Sequence, residues 1–149
     1  MRDIRANIRH DQILDPAVLS GVAGKTNSAS VDMQRFRQLS LYGLVGESGD
    51  TLSSSLRLYL QVEHSDDDLT WAACANADLS RTVAGEATGT FADVNAAAVD
   101  DAVYQTQYIG NKRYVRVVAN RKGTHTTGIP VALLALRFGE TYTPVVQPT

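Results

Sequence analysis

The sequence predicts an all-β fold, an antiparallel β-sandwich with an extended N-terminal arm. Three observations predict it. Apolar residues recur with a period of two in separate stretches after residue 30, the spacing that turns one side of a strand toward a core. Clusters of Gly, Asn, Ser and Asp separate those stretches, and these are the residues that make turns. Little of the chain reads as helix, which leaves sheet packed on sheet as the way to bury the apolar faces. With 149 residues, 44% of them hydrophobic and 20% charged, the chain has the material for one domain with a core, and global disorder is excluded. The expected division is an arm over 1–30, a sandwich over 31–141 and a tail over 142–149.

The arm mixes Arg2, Arg5 and Arg9 with scattered Ile and Leu, then runs into a Gly/Ser/Thr/Asn stretch over 21–30. Ile4 and Ile8 stand one helical turn apart, as do Arg5 and Arg9. The segment therefore reads either as a short amphipathic helix that orders on contact, since so short a helix is marginal alone, or as a frayed terminus.

From residue 35 the period is two. Leu39, Leu41 and Val45 share one parity, and Leu56, Leu58, Leu60 and Val62 alternate with Arg57, Tyr59, Gln61 and Glu63. Both stretches are expected to be half-buried strands. Residues 46–50, Gly-Glu-Ser-Gly-Asp, are expected to turn between them with positive-φ glycines. Residues 64–101 are less regular. Trp71 and residues 72–75 suggest a short strand or turn, residues 81–91 another strand with Gly85 and Gly89 as weak points, and residues 95–101 a helical turn.

Over 103–119, Gly110-Asn111 sits between two alternating runs, a pairing suited to a two-residue hairpin turn. That turn sets Ile109 opposite Lys112, Tyr108 opposite Arg113, Thr106 opposite Val115 and Tyr104 opposite Val117. Tyr104, Tyr108, Val115 and Val117 then share the face expected in the core, and Gln105, Gln107, Tyr114 and Arg116 the other. Residues 129–138 are apolar at both parities and predict a strand covered on both faces, with Pro130 at its start or on an edge. A short tail with two prolines closes the chain.

The composition also narrows function. A net charge of −2 and a pI near 5.9 lack the Lys/Arg excess of a nucleic-acid binder. Cys74 is the only cysteine, so no internal disulfide forms and a reducing cytoplasm is the simpler origin. No apolar run reaches the roughly 20 residues of a membrane span, and the first residues lack a signal peptide's apolar stretch. Asp66-Asp67-Asp68 has the wrong spacing for an EF-hand and reads as a solvated acidic turn. His10, His64 and His125 are far apart, without metal-ligand spacing. Neither a G-x-S-x-G elbow nor a phosphate-binding glycine loop is present, and Cys74, beside Trp71 in an Ala-rich segment, reads as a small core hydrophobe. No catalytic residue, metal or cofactor is expected. Charge is uneven, net −7 over 66–101 and +6 over 102–137, and the default expectation is that these segments compensate within the fold.

Leu60-Gln-Val-Glu-His-Ser-Asp-Asp67 followed by Trp71, then Tyr108-Ile-Gly-Asn-Lys-Arg-Tyr-Val-Arg-Val-Val118, then Thr127-Gly-Ile-Pro-Val-Ala132, in that order, resemble the head decoration (cement) proteins of tailed bacteriophages. The resemblance covers about residues 31–138. It implies a small β-sandwich or jelly-roll-like virion protein that is made in the bacterial cytoplasm. Such a protein binds the major capsid protein on the outer surface of the head, usually as a homotrimer, and strengthens the head against internal DNA pressure. It implies no catalysis, no membrane and no nucleic-acid contact. Pro16 and Val18, in the stretch that is similar to the family's extended leader, are the expected capsid or subunit contacts, together with Arg2, Arg5 and Arg9, which have no counterpart in the family pattern. The rival expectation is a carbohydrate-binding β-sandwich in which Tyr42, Tyr59, Trp71 or Tyr114 stacks on a sugar ring.

Overall fold

A computed structural model describes residues 8–139. Its ten strands are β1 (Ile8–Gly21), β2 (Gly24–Asn27), β3 (Val31–Asp32), β4 (Gln38–Val45), β5 (Arg57–Ser65), β6 (Ala72–Ala73), β7 (Thr90–Val94), β8 (Ala102–Tyr108), β9 (Tyr114–Lys122) and β10 (His125–Phe138). They form two antiparallel sheets. One has four strands in the order β1-β10-β4-β8; the other is built on β2-β9-β5-β6, with β3 joined to β9 and β7 to β5. The chain is thus an all-β sandwich, as its period-two stretches predict.

The core lies between the sheets and is built by one parity of each strand. Leu58, Leu60 and Val62 of β5 and Val115, Val117 and Ala119 of β9 are fully buried from one side. Leu39 and Leu41 of β4 and Ile129, Val131, Leu133 and Ala135 of β10 meet them from the other. Each buried Leu, Ile or Val contributes about 1.5–3 kcal/mol, so the interior parity of these four strands is the main source of stability.

Three expectations are corrected. The arm is not separate over its described part. Residues Ile8–Gly21 form a strand of 14 residues on the edge of the four-stranded sheet, pairing with β10 from Ile8↔Phe138 to Gly21↔His125. Ile13 and Leu19 from it are buried. Register shifts at 12–14, 14–17 and 19–21 interrupt the alternation, which is why the sequence hides the strand. Residues 1–7 and 140–149, with Arg2, Arg5, Ile4 and most of the expected tail, lie outside the described residues.

The Gly110-Asn111 hairpin does not exist. β8 pairs with β4 in one sheet and β9 with β5 in the other, so residues 109–113 cross between sheets. Tyr108, Val115 and Val117 are nevertheless buried and Tyr104 packs partly against the core; they face one another across the sandwich instead of sharing one sheet. Likewise residues 46–50 carry the chain from β4 toward the other sheet. Neither Gly46 nor Gly49 has a positive φ. Gly49 is needed for close approach, because a Cβ there would lie 2.2 Å from Thr127 Cγ2.

The third correction concerns coverage. β10 lies between β1 and β4, yet only its core-facing parity is buried, and Pro130 on the other face is exposed. Pro130 precedes the β10–β4 ladder, which begins at Val131↔Val45, so its missing N–H costs no bond there. In the middle of the chain the short strand after Trp71 is present as β6, the second expected strand shrinks to Thr90–Val94, and residues 95–101 hold a single hydrogen-bonded turn, Val99 N–H to the Ala96 carbonyl, among bends.

Candidate functional site

The two outward faces of the sandwich differ in chemistry. On the six-stranded sheet, Arg57, Tyr59, Gln61, Glu63 and Ser65 of β5 lie beside Lys122, Asn120, Val118, Arg116 and Tyr114 of β9. Most of the charges are tied in pairs. Arg116 donates to Glu63 at 2.7 Å and Arg57 to Glu86 at 2.8 Å and Asp93 at 2.9 Å. Arg113 holds Asp32 through two nitrogens, at 3.0 and 2.8 Å, and this guanidinium keeps the Asp32 carboxyl below the usual range. Between the +6 and −7 segments, Lys112 and Asp66 are the only direct ion pair among the described residues; the other bridges of the basic segment go to Asp32, Glu63, Asp11 and Asp50.

Arginines also occupy the aromatic faces that a sugar would need. Arg57 lies 5.7 Å from the Tyr59 ring centre, Arg113 4.8 Å from Tyr114, and Arg116 4.2 Å from Trp71. Tyr42 lies on the other sheet, so the four candidates do not form one platform. These contacts make the aromatics part of a charge–ring lattice.

The opposite face is largely apolar, with charge only toward its edges among the described residues. Outward positions are Pro130, Ala132, Leu134, Leu136 and Phe138 of β10, Leu44, Tyr42, Ser40 and Gln38 of β4, and Val103, Gln105 and Gln107 of β8. His10, Gln12 and Val18 of β1 extend it. Among these described positions there is no Asp, Glu, Lys or Arg, but Asp15, whose carboxylate accepts from Gln12 Nε2 at 2.6 Å, stands beside them. Leu44 and Val103, adjacent in register, are 43% and 67% exposed, and Val18, beside Pro130, is 59% exposed. At this corner Ala17, Leu44, Val103, Pro130 and Ala132 line a shallow groove of about 350 Å³, with Asp101 as its one charged lining residue. The sequence held the signal for this face in the two-parity apolar run of β10.

The expected contact residues fall unevenly on this geometry. Val18 lies on the largely apolar face and Pro16 on the groove's rim. Arg9 donates to Asp11 at 3.1 Å. Asp11 in turn takes Arg137 Nε and Nη2 at 2.9 and 2.6 Å, and Arg137 Nη1 donates to the Asp32 carbonyl. Sequence reasoning missed this knot, because its members come from β1, β3 and β10. Gly110 and Asn111 line, with Phe36, Lys112 and Phe138, a cleft of about 860 Å³ at one end of the sandwich.

The remaining reactive groups are occupied structurally. Asp67 accepts the N–H groups of Leu69 and Thr70, which hold its carboxyl far below the usual range, and Lys112 meets Asp66, so the acidic run is a turn. His64 bonds the Tyr108 hydroxyl at 3.1 Å. His125 is buried, with Nδ1 3.6 Å from the Asp50 carboxylate. Burial pushes the Cys74 thiol up to about 12. Among the described residues no three His, Cys, Asp or Glu side chains gather as metal ligands, and no helix is long and apolar enough to cross a membrane.

No family model matches the chain, and no curated protein matches it. Among solved structures it is similar to the SPBc2 prophage-derived protein YomS, at 13% identity and a TM-score of 0.46, over 88% of this chain and 92% of that one. It is also similar to the CBM22-1 and GH10 modules of Clostridium thermocellum endo-1,4-beta-D-xylanase 10B complexed with xylohexaose, at 9% identity and a TM-score of 0.40, over 91% of this chain and 30% of that one. Likenesses this distant carry nothing about function to this chain.

Proposed function

We propose that this chain is a structural virion protein of a tailed bacteriophage, a head decoration protein that binds the major capsid protein on the outside of the head as a homotrimer. Its work is mechanical, with no catalytic step, and its site of action is the capsid exterior. The observation that carries the reading is the division of the surface. One sheet face has most of its charges tied in internal pairs, while the other presents a largely apolar surface with Asp15 and Asp101 toward its edges, which marks a protein contact and not a small-molecule pocket. The ordered resemblance over β5, the β8–β9 crossing and β10 supports the same reading. A rigid sandwich with long ladders suits a part that must resist strain.

The test is cosedimentation with undecorated capsids of its phage. Saturable binding, and heads that rupture at higher temperature once decorated, are the expected results. Absence of binding by folded protein at micromolar concentration overturns the proposal. Retardation by a polysaccharide gel would favour the carbohydrate reading, against which the arginine-covered rings stand.

A further inference from the structure

We propose that the acid-flanked groove at Leu44, Val103 and Pro130 receives a surface segment of the major capsid protein in which Lys or Arg brackets an apolar side chain. This deepens the decoration reading and rests on it. The argument begins with what the corner exposes. Val18, Leu44 and Val103 are 59%, 43% and 67% exposed, and strand pairing collects them, with Val18 opposite Pro130 and Leu44 opposite Val103. The groove between them holds about 350 Å³, which admits side chains and not a folded element. Its complement is therefore a short segment with an apolar side chain at its centre.

The charges around the groove fix the sign of what flanks that side chain. Asp15 and Pro16 bulge from the β1–β10 ladder between Leu14↔Leu133 and Ala17↔Val131. The bulge sets the Asp15 carboxylate beside the face, where Gln12 Nε2 donates to it at 2.6 Å. Asp101 lines the groove from the β8 side with φ +47°, left-handed backbone that Asp adopts more readily than most residues. Glu47 is exposed next to Gly46 of the lining. None of these three carboxylates has an ion pair among the described residues. Asp100 accepts the Ser48 N–H at 2.9 Å, and Arg121, beyond Val18, donates to the Ser20 carbonyl. The lining itself holds no Lys or Arg. Unpaired carboxylates on both sides of an apolar groove favour cations on both sides of the side chain that fills it. They oppose a second copy through the same patch, which would set carboxylate against carboxylate.

Cosedimentation of the full chain with undecorated capsids tests it, read as a dissociation constant at low and at high salt. Leu44→Lys should weaken binding about a hundredfold. The double variant Asp15→Asn, Asp101→Asn should weaken it about tenfold and lose most of the wild type's salt dependence, and Asp101→Lys should weaken it further. Asn suits the left-handed backbone at 101, so the double variant removes charge and keeps the fold, checked by an unchanged melting temperature. The control is Lys122→Glu, on the other sheet's outer face, which should bind as the wild type does. Groove variants that bind as tightly as the wild type overturn the assignment and leave the decoration reading standing. Tighter binding by Asp101→Lys overturns the cationic partner. A loss of capsid binding that comes with a lowered mass in light scattering overturns it in favour of a second copy of the chain. If the folded wild type does not bind capsids at all, the decoration reading fails and this assignment with it.

Discussion

At the scale of single residues, several positions are set by what surrounds them and not by their own type. Gly89 has φ +80°, and a Cβ there would lie 2.8 Å from the Val62 carbonyl oxygen and 2.9 Å from that of Cys74. Backbone atoms cannot swing away as a side chain can, so Gly89→Ala should destabilise the fold by about 1–3 kcal/mol, measured as a shift in the urea midpoint. An unchanged midpoint would mean the β7 entry is looser than its geometry. The sequence showed this glycine only as a weak point in a strand, because nothing local records a carbonyl arriving from Val62. Cys74 was legible: a lone cysteine among alanines beside a Trp reads as core, and it is fully buried.

At the scale of elements, β1 and the β8–β9 connection carry the consequences. Asp11 on β1 neutralises Arg137 on β10, whose side chain is 10% exposed. Asp11→Ala leaves that guanidinium half-partnered at the edge of the core, and the expected loss is about 3 kcal/mol, readable as a lowered melting temperature. A loss below about 0.5 kcal/mol would show that the knot behaves as a surface pair. For the same reason, removal of residues 1–30 should destabilise the sandwich, since it deletes Ile13 and Leu19 from the core. The connection makes the opposite prediction. Because residues 109–113 cross between sheets, one extra glycine after Gly110 shifts no shared register, and it should cost only about 1 kcal/mol. Unfolding on that insertion would mean that β8 and β9 pair after all.

At the scale of the whole molecule, the pH profile follows from which groups the fold prefers charged. Asp32, held by Arg113, Asp50, held first by the Thr127 and then by the Gly128 N–H, and Glu86, held by Arg57, all lie below their ordinary range. The folded state therefore binds fewer protons than the unfolded one. The stabilisation is present above about pH 4, near the unfolded values, and is lost as pH falls through the lowered ones. Burial pushes the Tyr108 phenol up to about 12; the fold prefers it neutral, so its contribution is fully present below about pH 10 and is lost as pH rises from there through about 12. A melting temperature that is level from about pH 5 to 9 and falls on both sides is expected. Asp50→Asn should flatten the acid limb, and stability that rises on acidification would contradict the assignment.

The sequence by itself determined the fold class and which parity of β4, β5 and β9 is buried. Both follow from local alternation, and alternation depends only on the pleat of each strand. It also marked β10 as apolar on both faces, half of the evidence for an interaction surface. Only the tertiary structure decided which strands pair. A turn of Gly and Asn serves a hairpin within one sheet or a crossing between two, and in both cases the same side chains point to the core, so Tyr108, Val115 and Val117 are buried under either reading. It alone decided that residues 8–21 complete a sheet, because their partner β10 lies more than a hundred residues away and register shifts erase the period. It alone separated the charged face from the largely apolar one, since each face gathers outward residues of several strands, and their adjacency is a property of pairing that no single stretch of sequence contains.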